Sequence, residues 1–198
     1  MRQFIAQASW RPLDDYGLEH LHLAKTANGN HRVDSFLVRE INGHVFTAVY
    51  VIHFFPDCTF RALELKVITD EVRTLFLSID ENGIWRNETD EEQPYLSGCY
   101  EIDISVTPFT NTLAIQRLNL VIGQSQDIEV AYIQLPDLVV EKSIQRYTYL
   151  GMQNNKQTYK YESLSSGFTA ELLLDEHLLV LTYPELFTRH LPSYFRLS

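Results

Sequence analysis

The chain has 198 residues, 45% of them hydrophobic, and its 16 lysines and arginines against 26 aspartates and glutamates leave a formal net charge of −10. That composition excludes a disordered or collagen-like chain. With no run of basic residues, it also excludes a nucleic-acid partner and an anionic membrane face, since both need a clustered positive surface. One hydrophobic core suffices at this length, so a single domain over 1–198 is expected.

The opening MRQFIAQASWRPLDD lacks the unbroken apolar run of an export signal, because Gln3, Gln7 and Ser9 interrupt it, and it reads as a first strand. Leu21 and Leu23 then alternate with Leu18, His20 and His22, and Leu63, Leu65 and Val67 alternate with Glu64 and Lys66. This period of two marks strands. Further strands are read at 32–41, 44–55, 72–79, 100–106, 112–121, 127–135, 143–150, 158–163, 168–174 and 178–183, rich in Val, Ile, Tyr, Phe and Thr. Asn28-Gly29, Asn42-Gly43, Asn82-Gly83 and Gly123 supply turns. Only Pro184–Leu191, with proline at a first-turn position, reads as a short helix. The longest apolar stretch, Val45–Phe55, falls short of the roughly 20 residues a membrane helix needs, so no integral span is expected. Cys58 and Cys99 have no metal or redox spacing and read as reduced, inert thiols of a cytoplasmic protein.

Two stretches repeat one order of features. VYVI, FRALEL and LFLSIDENGIW within 44–86 are followed later by AYIQL, QRYTYL and AELLLDEHLLV within 127–183. An internal duplication is the expectation, with insertions near 137–142 and 151–157 in the second copy.

The chemistry-bearing residues are sparse. His20 and His22 share a strand face without an identifiable third ligand, so no metal site is expected. Glu101 and Asp103 also share a face; two carboxylates at that spacing suit a cation or acid–base work, whereas alternation with Ile102 and Ile104 turns them to solvent. There is no nucleophile elbow and no glycine-rich phosphate loop, so no catalytic residue and no cofactor are assigned. The 11 tyrosines and 11 phenylalanines suit a β-roll that leaves an interior cavity or groove. Tyr50, Tyr132, Tyr147, Tyr149, Tyr159 and Tyr161 would offer apolar rings with hydroxyls to an amphiphile. Arg61, Arg117 and Arg146 lie in partly apolar strand segments, so each needs a carboxylate partner or an anionic ligand head, and Asp57, Asp103 and Asp137 are available as partners. The segment Thr107–Thr112 reads as a tight, self-bonded turn.

Taken together, GLEHLHL (17–23), GCYEIDISVTPFTNTLAIQRL (98–118), VAYIQLPDL (130–138), QRYTYL (145–150), YKYES (159–163), GFTAELLLDEHLLV (167–180) and YPELFTRH (183–190) resemble the bacterial putative glycolipid-binding family, a domain of formerly unknown function. The resemblance runs in order along nearly the whole chain, and TPFTNT and YPELF are its most specific parts. It implies an all-β spiral antiparallel β-roll, or coiled half-barrel, with few short helices. It also implies non-enzymatic binding of a glycolipid or other amphiphile in a cavity or groove, acyl chains against inner Phe and Leu and a sugar or acidic head against Arg61, Arg146 and tyrosines. The residues assigned to that contact are Arg61, Arg117, Arg146, Tyr50, Tyr132, Tyr147, Tyr161 and Asn111. The chain departs from the family pattern at Phe60, where Trp is usual, at Ala114 (Pro), at Gln116 (Arg) and at Glu176-His177 (Asp-Gly). Gln116 leaves any anion clamp at 116–117 short of a charge. Two other readings remain open: a scaffold domain with a filled core, homo-oligomeric through a strand edge, and an enzyme acting on a glycolipid.

Overall fold

In the computed structural model, residues 2–190 are described, and they form one sheet of 14 strands with a single α-helix. The first seven strands are β1 (Gln3–Pro12), β2 (Gly17–Lys25), β3 (His31–Ile41), β4 (His44–Phe54), β5 (Phe60–Ile68), β6 (Val72–Ile79) and β7 (Trp85–Arg86). A 3-10 turn (Pro94–Leu96) leads to β8 (Glu101–Ile104), α1 (Phe109–Leu118), β9 (Ser125–Gln134), β10 (Val139–Gln153), β11 (Lys156–Ser163), β12 (Thr169–Leu174), β13 (Val180–Tyr183) and β14 (Phe187–Arg189). The spatial order runs from β7 down to β1, passes to β14, and runs down again to β8, so the sheet is two meanders joined where β1 pairs with β14. The end strands β7 and β8 do not pair, and the sheet is a coiled half-barrel, as the all-β reading expects.

Local chemistry sets the register. Asn42 and Gly43 both hold positive φ in the two-residue turn that pairs Ile41 with His44, and Asn154 and Asn155 do the same between Gln153 and Lys156. Asp80 accepts from the amides of Asn82 and Ile84, and Asp175 from those of His177 and Leu179, so the hairpins ending the two repeat-like stretches use one turn. β11 lies between the strands that the sequence repeat aligns.

Alternation then fills the inner face. Leu21, Leu37, Ala48, Tyr50, Ile52, Leu63, Leu65 and Leu77 are all buried, while Phe36 and Val38 of β3 face outward. The Trp10 indole donates to Val180 O at 2.7 Å across the joint between the meanders, and Trp85 donates to Cys99 O at 2.9 Å. Burying such rings contributes heavily to the core while each polar N–H keeps a partner.

Two elements differ from the sequence reading. The strand expected at 112–121 is the helix α1, introduced by Pro108 and ended by Asn119 in the left-handed conformation (φ 44°). Every residue from Phe109 to Ile115 is buried, so these two turns show no solvent-facing stripe and read like a strand. As the crossover between β8 and β9, α1 makes that pair parallel, the exception in an otherwise antiparallel sheet. The helix expected at 184–191 is a turn and a strand, with Leu191 outside the described residues. Glu185 (φ 67°) follows Pro184, Leu186 N donates to Tyr183 O, and β14 begins at once. Proline followed by a positive-φ residue is the signature of a type II turn. No helix among the described residues is long and apolar enough to cross a membrane.

Candidate functional site

The second meander holds a cavity of about 400 Å³. Its back wall is a row across three strands, because Asp103 on β8 pairs with Tyr132 on β9, which pairs with Glu141 on β10. Along β10, Glu141, Ser143, Gln145 and Tyr147 stand two apart and so share this face. Tyr161 and Ser163 on β11 continue it, since Tyr147 pairs with Tyr161 and Gln145 with Ser163. Ser165, Ser166, Phe168, Tyr183 and Phe187 complete the lining on one side and Thr107 and Asn111 on the other.

The floor is a hydrogen-bonded network with fixed orientations. Thr110 donates to Asp103 Oδ1 and Gln145 Nε2 to Asp103 Oδ2, both at 2.7 Å. The Tyr147 hydroxyl lies 2.9 Å from Asn111 Oδ1 and 3.1 Å from Gln145 Oε1, and donates toward both. Burial pushes the Asp103 carboxyl above the usual carboxylate range, against the pull of the Thr110 and Gln145 hydrogen bonds. Burial likewise raises the phenol of Tyr132, with the charge of Asp103 adding to it, so the ring hydroxyl remains a donor at neutral pH. One side wall is aromatic: Tyr161, Phe168, Tyr183 and Phe187 form a chain of rings with neighbouring centroids 5.9–6.3 Å apart. Ring faces beside oriented oxygens and amides suit a molecule with C–H faces and hydroxyl edges.

Of the residues singled out from sequence, Tyr132, Tyr161 and Asn111 line this cavity, and Tyr147 stands directly behind it. Tyr50 lies deeper, its hydroxyl 3.2 Å from Thr107 Oγ1 on the cavity wall. The three arginines are placed elsewhere. Arg61 donates to Ile79 O and lies over the Phe55 ring, Arg117 pairs with Glu101, and Arg146 makes a two-pronged pair with Asp127. The partners differ from those expected: Asp137 faces Arg73, and Asp103 bonds to Thr110 and Gln145.

Glu101 and Asp103 do not face solvent. α1 packs over their side of β8, so this edge strand is covered on the face that alternation assigned to water. Gln145, Glu141, Ser143 and Tyr183 are among the lining residues that sequence reasoning missed. For Glu141, Ser143 and Gln145 the signal was the odd-numbered face of 141–147, polar or aromatic at every position where a core strand would carry aliphatics.

A second concavity, an apolar groove of about 530 Å³, lies over β4–β6 and is lined by Val49, Val51, Ile68, Phe76 and the Glu88 loop, among others. It shares no lining residue with the polar cavity. Among the described residues, no group of three or more His, Cys, Asp or Glu side chains is placed to hold a metal ion.

Comparison with known proteins bears on this site. The family model described as "Putative glycolipid-binding" matches residues 7–189. The crystal structure of a DUF1089 family protein from Pseudomonas aeruginosa is similar at a TM-score of 0.75 and 33% sequence identity, over 94% of this chain and 93% of that one. No curated protein matches the sequence.

Proposed function

The chain belongs to the putative glycolipid-binding family, and from that premise we propose that it binds a glycolipid or related amphiphile without transforming it, holding the polar head in the Asp103–Tyr161 cavity. The observation that carries this reading is the pairing of an oriented polar floor with a continuous aromatic wall in one cavity. A filled structural core needs no such floor, because a buried polar group without a partner is costly and a buried network is retained only at some expense. The floor residues hold one another in fixed orientations, which suits recognition of a bound head.

Native mass spectrometry of freshly purified protein tests the proposal. A stoichiometric mass released by organic solvent is expected, together with loss of that mass in Tyr161→Ala. Apo protein that takes up no added glycolipid would sink the reading.

A further inference from the structure

Resting on that reading, we propose that the cavity recognises the ligand through its head alone: an uncharged sugar ring enters, and the hydrocarbon stays outside the cavity. Size, charge and hydrogen-bond polarity point the same way.

The cavity's 400 Å³ is room for on the order of a dozen water-sized groups. That accommodates a sugar ring and not a pair of acyl chains beside it. The inner face of the first meander is already filled by Tyr50, Phe60, Leu63 and Leu77, each at most 1% exposed. The apolar groove over β4–β6 is separate in its lining.

Charge excludes an anionic head. Asp103 and Glu141 lie on the back wall with Tyr132 between them, and among the described residues no lysine or arginine lines the cavity. A phosphate or sulfate placed there would meet two carboxylates in a partly desolvated space with no compensating cation. A neutral ring meets none of that cost.

Hydrogen-bond polarity selects hydroxyls. Gln145 and Asn111 each commit one amide N–H, to Asp103 and to Pro108 O respectively. The floor offers outward the remaining acceptor capacity of the Asp103 carboxyl, which can take more than the two bonds it receives from protein, beside hydroxyls such as those of Tyr132 and Ser143 that donate or accept. A vicinal diol supplies the matching donors, and the Tyr161 and Tyr183 rings supply a surface for the C–H face of the ring.

The test titrates the full chain with methyl, hexyl and octyl glycosides of glucose, galactose and mannose, below their micelle-forming concentrations, and with the corresponding 6-phosphates. At least one methyl glycoside is expected to bind, with affinity changing less than threefold from methyl to octyl and its 6-phosphate at least tenfold weaker. If hydrocarbon enters the protein, affinity will instead climb by roughly fourfold per buried methylene; that slope, or binding by octyl glycosides only, overturns head-only recognition while leaving amphiphile binding intact. Equal or tighter binding of the phosphate overturns the charge argument. No binding by any glycoside, short or long, removes both this inference and the reading beneath it. Asp103→Asn and, at the exposed rim, Glu141→Gln are each expected to narrow the ratio between neutral and phosphorylated ligand severalfold; an unchanged ratio in a folded variant also counts against the proposal.

Discussion

The Tyr50 hydroxyl donates to Glu19 Oε1 at 2.5 Å, deep in the first meander, and Ser35 donates to the same oxygen at 2.7 Å. Burial raises the Glu19 carboxyl above its ordinary range, and the hydrogen bonds from Tyr50, Thr107 and Ser35 pull it part of the way back. Tyr50→Phe removes one of these donors from a buried acid. A loss of about 1.5–3 kcal/mol is expected, the size of a hydrogen bond to a charged group, and urea unfolding at pH 7 measures it.

Glu19 also predicts a pH dependence. Its native pKa lies above its unfolded one, so between the two values the folded chain keeps a proton that the unfolded chain has released. Stability is full below the unfolded value and falls as pH rises through the raised one. Relative to Glu19→Gln, the unmodified protein should therefore lose stability from about pH 4.5 upward and level off above the native pKa. A constant difference between the two proteins across pH 4–8 would contradict the assignment.

Histidines act in the other direction. Burial lowers His20, His31 and His53, aided respectively by His22, Lys25 and Arg32. Below about pH 6.5 the unfolded chain takes up protons that the native state resists, so stability falls on acidification. Relative to His53→Gln, the unmodified protein should lose stability between pH 7.5 and pH 5.5, as the denaturation midpoints of the two proteins read.

Two arginine pairs separate burial from charge. Glu101 is almost fully buried beside Arg117, whereas Asp127 and Arg146 are both substantially exposed. Arg117→Gln leaves a buried carboxylate without its cation, and a cost of about 3–5 kcal/mol is expected. Adding Glu101→Gln to that variant should restore much of the loss. Arg146→Gln, at a solvent-exposed pair, should leave the unfolding midpoint nearly unchanged. Thermal unfolding of the three variants checks the ordering.

The cysteines provide a test of the fold. Burial pushes the Cys58 thiol up to about 12 and the Cys99 thiol up to about 11. Alkylation by iodoacetamide at pH 8 should leave both unmodified in native protein and label both in urea, as mass spectrometry reads directly.

Period-two patterning made most of the sheet legible from sequence, because strands with one buried face announce themselves by alternation. α1 was illegible for the converse reason: buried on every side from Phe109 to Ile115, it carries no stripe. The candidate site was half legible. Tyr132, Tyr161 and Asn111 stood out by residue type, but Asp103 was turned to solvent by an alternation rule that assumes a bare edge strand, and α1 covers that edge. The arginines left two readings open, a carboxylate partner or an anionic ligand head; Arg117 and Arg146 take carboxylate partners within the chain, while Arg61 donates to Ile79 O.

The two ends of the sheet carry a consequence for how copies of this chain meet. β7 is 2 residues long and β8 is 4, whereas the interior strand β10 runs for 15. Backbone groups left bare at a sheet margin are templates for another chain, and their number scales with the length of the margin. Here the long strands are all enclosed and the margins are stubs, one of them capped on its face by a helix. The half-barrel thereby resists stacking end to end into fibrils, a protection that closed barrels obtain by joining their ends and that this fold obtains by tapering.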